Sequence, residues 1–188
     1  MGFQISLPVL DVNSLMPTRH QHEKMTLPTY KVYKIQWHLA MQDPLMPQAI
    51  RYHTNIFIET SQDGSGTIYE VNGDIVSASG MSYLKFPSPP PESFESFYQR
   101  TLLGEIAASD LEEVTGVLKS IPPPPRQRWF NPKSMKMEPC KADGTPYRDE
   151  EEVPKFWKCT EWTNEKAIPT LWAKGLIKMV DNEDVVGN

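Results

Sequence analysis

Proline punctuates this chain more strongly than any other residue, and proline limits what a backbone can become. Eighteen of the 188 residues are proline, about twice ordinary usage. Eight of them gather in two runs, Pro87, Pro89, Pro90 and Pro91, and then Pro122 to Pro125. Proline fixes φ and lacks an N–H, so neither run suits a helix interior or a central strand. Both read as extended polyproline II connectors on the surface of one domain. Regular elements have to fit between them.

Residues 30–39, rich in aromatic and β-branched side chains, read as a strand. Residues 52–60 read as a second strand and 67–71 as a third. The turn composition of Ser61-Gln62-Asp63-Gly64-Ser65-Gly66 joins these two as a hairpin. With Thr60 opposite Thr67, His53 would face Asp74, and Asn72 and Glu70 would follow on the same face. A one-residue slip would exchange the faces. Residues 75–86 hold a further strand, best in Tyr83 to Phe86, and 93–106 lean towards strand near Glu105. Ser109-Asp110-Leu111-Glu112 has the capping-box spacing, opening a helix to about Lys119 with Leu111, Val114 and Leu118 as its apolar stripe. Residues 122–154 lack periodicity and read as a long wrapped loop. Their basic-aromatic group, Arg126, Arg128, Trp129, Phe130 and Lys133, reads as solvated. The last helix spans about 160–174, with Gly175 as its C-cap and Pro169 kinking or splitting it. The outline is α+β: an arm at 1–28, one domain at 29–180 and a frayed acidic tail at 181–188.

A net charge of −5 argues against a nucleic-acid partner, which needs a clustered basic face. No apolar run reaches the ~20 residues of a membrane span. The first residues make a poor signal peptide, so a cytoplasmic location is expected. The two cysteines, Cys140 and Cys159, are too few for a disulfide framework and read as thiols in a reducing compartment. His20 and His22 have no Cys or acidic cluster beside them to complete a metal site. Neither metal nor cofactor is expected, and the oligomeric state is not readable.

Cys159 is placed at the first turn of the last helix. There the backbone dipole and unpaired amides favour a thiolate, the nucleophilic form. His53 is the best candidate for its base. The plain alternative is a packed core cysteine with His53 bonded to backbone. Glu161 reads as a capping residue or the partner of a basic side chain.

The strand His53-Thr54-Asn55-Ile56-Phe57-Ile58, returning through Ile68-Tyr69-Glu70-Val71, and the late Lys158-Cys159-Thr160-Glu161-Trp162 together resemble the circularly permuted NlpC/P60 branch of papain-like thiol enzymes. Lecithin-retinol acyltransferase-like and PPPDE-like proteins belong there. Where that branch often reads Asn-Cys-Glu-His-Phe, this chain has Lys158 for the Asn and Thr160-Glu161 for the Glu-His. The chain also resembles small fungal proteins of unknown function with a Cys-x-Glu-Trp-Thr motif. The resemblance implies a papain-like antiparallel sheet packed against a few helices. It implies Cys159 as nucleophile and His53 as base of a hydrolase or acyltransferase acting on an ester or amide through a thioester. Asp74 and Asn72 are the candidates for the residue that orients His53. Trp157, Trp162 and Tyr52 are expected to wall the cleft around a small-molecule or peptide-like substrate, with the Pro122 loop as its rim. The rival function is a non-catalytic papain-like module that binds a small molecule or protein partner.

Overall fold

The computed structural model describes residues 28–46 and 50–179. His20, His22, most of the expected arm and the acidic tail lie outside them. Five strands form one sheet: β1 Thr29–His38, β2 Tyr52–Glu59, β3 Gly66–Gly73, β4 Met81–Ser88 and β5 Phe97–Ala107. Their order is β4-β3-β2-β1-β5, and every neighbouring pair is antiparallel. The fold is α+β. Residues 93–106, ambiguous in sequence, resolve into β5 because it pairs with β1 along its length. Among the described residues no helix is long and apolar enough to cross a membrane.

Alternation along the strands creates two faces. Val32, Ile56, Ile58, Tyr69 and Val71 point to one side, where they pack with Val114 and Leu118 of α1 (Leu111–Ser120) and with Trp162 and Leu171 of the C-terminal helix. Tyr33, Ile35, Trp37, Phe57 and Ile68 form a smaller apolar layer on the other side. The expected capping box of α1 does not form. A 3-10 turn, Ala108–Asp110, leads into the helix, and the Ser109 hydroxyl donates to Asp110 Oδ1 instead of accepting from a helix amide.

The β2–β3 hairpin is shifted from the expected register. Glu59 pairs with Gly66, and the ladder runs to Ile56 opposite Tyr69. Gly66 sets this closure, since a Cβ there would lie 2.0 Å from the Ile58 carbonyl oxygen. The shift moves each partner by two residues, so the faces are kept while the residue opposite His53 changes. Gly64-Ser65-Gly66 is wholly occupied by this turn, where Asp63 Oδ1 accepts from the Ser65 N–H and hydroxyl.

Residues 122–154 are not one unpatterned loop. They contain a second small sheet, β6 Arg128–Asn131 against β7 Lys136–Pro139. Two consecutive amides, Gln127 and Arg128, anchor it by donating to the Ile75 carbonyl. Arg128 is buried rather than solvated.

Pro169 neither splits nor ends the last helix. α2 (Cys159–Glu161), a π-helical turn (Trp162–Ala167) and α3 (Ile168–Ala173) run on without a break. In the wide turn the Ile168 N–H bonds the Thr163 carbonyl, five residues back. That extra width gives room for the proline ring, which in an ordinary α-helix meets the carbonyl four residues earlier. Gly175, at φ +68°, then closes the helix, with the Leu176 N–H reaching the Leu171 carbonyl.

Candidate active site

The β2–β3 ladder stops at Ile56 and Tyr69, and the start of the C-terminal helix takes over the edge of β2 beyond it. Thr160 Oγ1 donates to the Tyr52 carbonyl at 3.0 Å, and Thr163 Oγ1 donates to the Thr54 carbonyl at 3.0 Å. The Thr54 N–H on the same edge acts on Cys159 by lowering its pKa. Backbone groups that a strand would have satisfied are thus satisfied by a helix terminus, which brings Cys159 against β2.

Charged side chains fix this helix start. The Glu161 carboxylate accepts from the Lys158 N–H at 2.8 Å and pairs with the buried Arg51 at 2.8 Å, so it both caps and pairs. Asp43 Oδ2 accepts from Lys158 Nζ at 2.6 Å and from Arg128 Nη1 at 2.7 Å. Burial opposes ionisation of Asp43, but these cations outweigh it and hold its pKa down at about 2. Arg128, which reads in sequence as part of a solvated patch, is an anchor: it also stacks on the Phe156 ring at 4.2 Å.

The His53 ring stands between two ionisable groups. Its Nε2 lies 2.8 Å from Glu70 Oε2, and Cys159 lines the same cleft as the ring and acts on its titration. Glu70 is itself held: Asn55 Nδ2 donates to Oε2 at 3.0 Å and Asn72 Nδ2 to Oε1 at 2.9 Å. Burial works against charge on all three titrating groups. For His53 the thiolate and the carboxylate outweigh burial and push its pKa up to about 10. For Cys159, burial raises the pKa, but the hydrogen bond and charge of His53 bring it below its ordinary value. Glu70 is also lowered, because His53 and the two asparagines overcome its burial. Each shift favours the charged form: thiolate at Cys159, imidazolium at His53 and carboxylate at Glu70.

Glu70, then, holds the position for which Asp74 and Asn72 were the candidates. Asp74 is turned away; its Oδ1 accepts from the Val76 and Ser77 amides. Asn72 touches Glu70 rather than His53. The altered register accounts for this, since ending the ladder at Ile56 and Tyr69 leaves Glu70 diagonal to His53 on the same face. Strand alternation already placed Glu70 on that face, and only the register withheld its partner.

A cleft of about 220 Å³ opens on the sulfur, lined by Leu39, Met41, Tyr52, His53, Asn72 and Cys159 among others. Tyr52 stacks on Tyr98 at 4.1 Å at its edge. Trp162 is fully buried in the core and walls nothing. Trp157 lines a different cavity, beside Cys140, because its backbone is tied by Gln127 on both sides. The Pro122 loop does not rim the cleft; Pro125 lines the Cys140 cavity instead, and the Pro124 carbonyl accepts from the Met81 amide behind the cleft. Among the described residues no group of three or more His, Cys, Asp or Glu side chains is placed to hold a metal ion.

No curated protein and no solved structure matches the chain. A family of unknown function, DUF6540, matches residues 39–178, a span that includes His53, Glu70 and Cys159, and the chain belongs to that family.

Proposed function

We propose that this protein is a cysteine-dependent hydrolase or acyltransferase acting on ester or amide bonds, with Cys159 as nucleophile, His53 as acid and base, and Glu70 as the positioning residue. The observation that carries the reading is the His53 ring, held 2.8 Å from the buried Glu70 carboxylate and sharing one cleft with Cys159. A buried row of this kind costs stability in desolvation, and such perturbed groups opening on a cleft are typical of functional sites.

In the first half-reaction the Cys159 thiolate attacks the carbonyl carbon. The electron pair of the C=O moves to oxygen, and the Cys159 N–H, a first-turn helix amide, donates to it. As the carbonyl reforms, the C–N or C–O bond breaks, and the leaving group takes the proton from the His53 imidazolium. A thioester remains on Cys159, and His53 is neutral. Water, or an acceptor alcohol or amine, then gives its proton to His53 and attacks the thioester, and the thiolate departs. Glu70 keeps the ring oriented and its charge matched throughout. The order of a histidine strand before a cysteine helix supports a permuted NlpC/P60-like, papain-like arrangement, and the five-stranded antiparallel sheet is compatible with it.

The test is mass spectrometry of the intact chain treated with an activated aryl ester. The expected result is a single acyl group on the peptide bearing Cys159, absent from Cys159→Ala and released again with time. An adduct spread equally over Cys140 and Cys159, or none at all, overturns the proposal.

A further inference from the structure

The cleft at Cys159 carries charge as well as a thiol. Asp43, Arg51 and Lys158 line it beside Leu39, Met41 and Tyr52. One carboxylate there serves two cations. A single oxygen, Asp43 Oδ2, lies 2.6 Å from Lys158 Nζ and 2.7 Å from Arg128 Nη1, while Oδ1 accepts the Leu45 N–H. Among the described residues Asp43 is the only acid paired with the side chain of either cation. Two positive charges on one negative charge leave a positive charge over at this place.

The surplus falls to Lys158. The Arg128 side chain is 4% exposed and packed on the Phe156 ring, whereas the Lys158 side chain is 22% exposed and lines the cleft. An ammonium has three N–H donors, and Asp43 Oδ2 engages one of them. The other acids of the site do not line this cleft. Glu161 is buried against Arg51, and Glu70 lines a separate cavity with Asn55 and Ile68. A half-buried cation beside a nucleophile, with donors to spare, attracts an anion more strongly than one in open water.

We propose that Lys158 Nζ receives a carboxylate on the acyl half of the substrate, so that the site takes a monoester or monoamide of a short dicarboxylic acid. The inference rests on the thiol-enzyme reading above and names its substrate class. The acyl half is the one that stays on Cys159 as the thioester. Lys158 is joined to Cys159 by a peptide bond, so its ammonium remains beside this half through both half-reactions. Leu39, Met41 and Tyr52 give an apolar wall to the carbons between the two carbonyl groups. A neutral acyl chain of the same length leaves the surplus charge unmet.

The test compares mono-nitrophenyl adipate with nitrophenyl hexanoate, esters of one chain length that differ in the terminal carboxylate. The full chain is expected to be acylated at Cys159 about tenfold faster by the adipate, the scale of one charge-assisted hydrogen bond. The preference is expected to shrink as salt is added, to vanish in Lys158→Met and to persist in Lys158→Arg. Equal rates with the two esters, or a preference that survives Lys158→Met, overturns the proposal. If Lys158→Met does not fold, salt decides by itself, and a preference that salt leaves untouched overturns it. If neither ester acylates Cys159, the catalytic reading fails and binding judges the carboxylate site. Adipic acid monoamide is then expected to shift the Lys158 and Cys159 amide resonances saturably and hexanamide is not; no such difference sinks the site as well, so the two failures are distinguishable.

Discussion

Cys140 and Cys159 are alike by most simple measures. Both are free thiols, 2% and 8% exposed, and each lines a cavity of about 220 Å³. Their chemistry is opposite. Burial pushes the Cys140 thiol up, with Arg126 lowering it too little to compensate. Burial pushes Cys159 up as well, but His53 and the Thr54 amide turn the balance and bring it down. Burial alone makes a cysteine inert; a cation and donors aimed at the sulfur make it a nucleophile. The lesson is that two equally buried thiols beside cavities of one size differ through the groups around each sulfur.

The sharpest way to break this comparison is to delete each sulfur. Cys159→Ala is expected to lower acyl transfer by on the order of 10⁴-fold, while Cys140→Ala stays within about twofold of the parent rate. Equal losses would erase the distinction. The frame that holds Cys159 in place comes next. Arg51→Ala leaves Glu161 buried without its cation and is expected to cost about 3–5 kcal/mol in a urea melt. A loss below about 1 kcal/mol would mean that the Arg51–Glu161 pair does not anchor the helix start.

Removing the cation itself should make the two thiols alike. In wild type at pH 7, iodoacetamide is expected to modify Cys159 faster than Cys140 by roughly 10- to 100-fold. In His53→Gln the ratio should fall towards one, as read by peptide mass spectrometry across pH 6 to 10. A ratio unchanged by the substitution would assign the thiolate to the helix terminus rather than to His53.

The smallest expected effect concerns Glu70. His53 keeps its proton to about pH 10 in the folded chain and only to about 6.5 in the unfolded one. Its ionic contribution is therefore fully present below about pH 6.5 and is lost as pH rises towards 10. Glu70 is lowered, so its own contribution is present above about 4.5 and fades below that. Glu70→Gln should destabilise by about 1.5 kcal/mol at pH 6, and the gap should narrow steadily by pH 10 in denaturant melts. A gap independent of pH over that range would remove the ionic pairing from the account.

Much of the site was legible before any fold was considered. Cys159 at a helix start, His53 on an early strand and Glu161 as cap and partner follow from local pattern, because caps and strand alternation act over a few residues. The third group escaped, since it depends on a register set by Gly66 approaching the Ile58 carbonyl. The walls escaped for a related reason. Trp157, Trp162 and Tyr52 are equally plausible in sequence, and only packing sends Trp162 into the core, Trp157 towards Cys140 and Tyr52 to the cleft. Arg128 looks solvated in a charged segment, yet Asp43, distant in sequence, draws it inside.

By itself the sequence determined the α+β outline, the approximate strands and the place of Cys159 at a helix start, all carried by short-range periodicity and composition. Tertiary structure decided the rest: Glu70 beside His53 in place of Asp74 or Asn72, a continuous helix through Pro169, and which thiol has its pKa lowered. Each of these turns on contacts between segments far apart in the chain, where a two-residue shift in pairing or one buried charge outweighs any local preference.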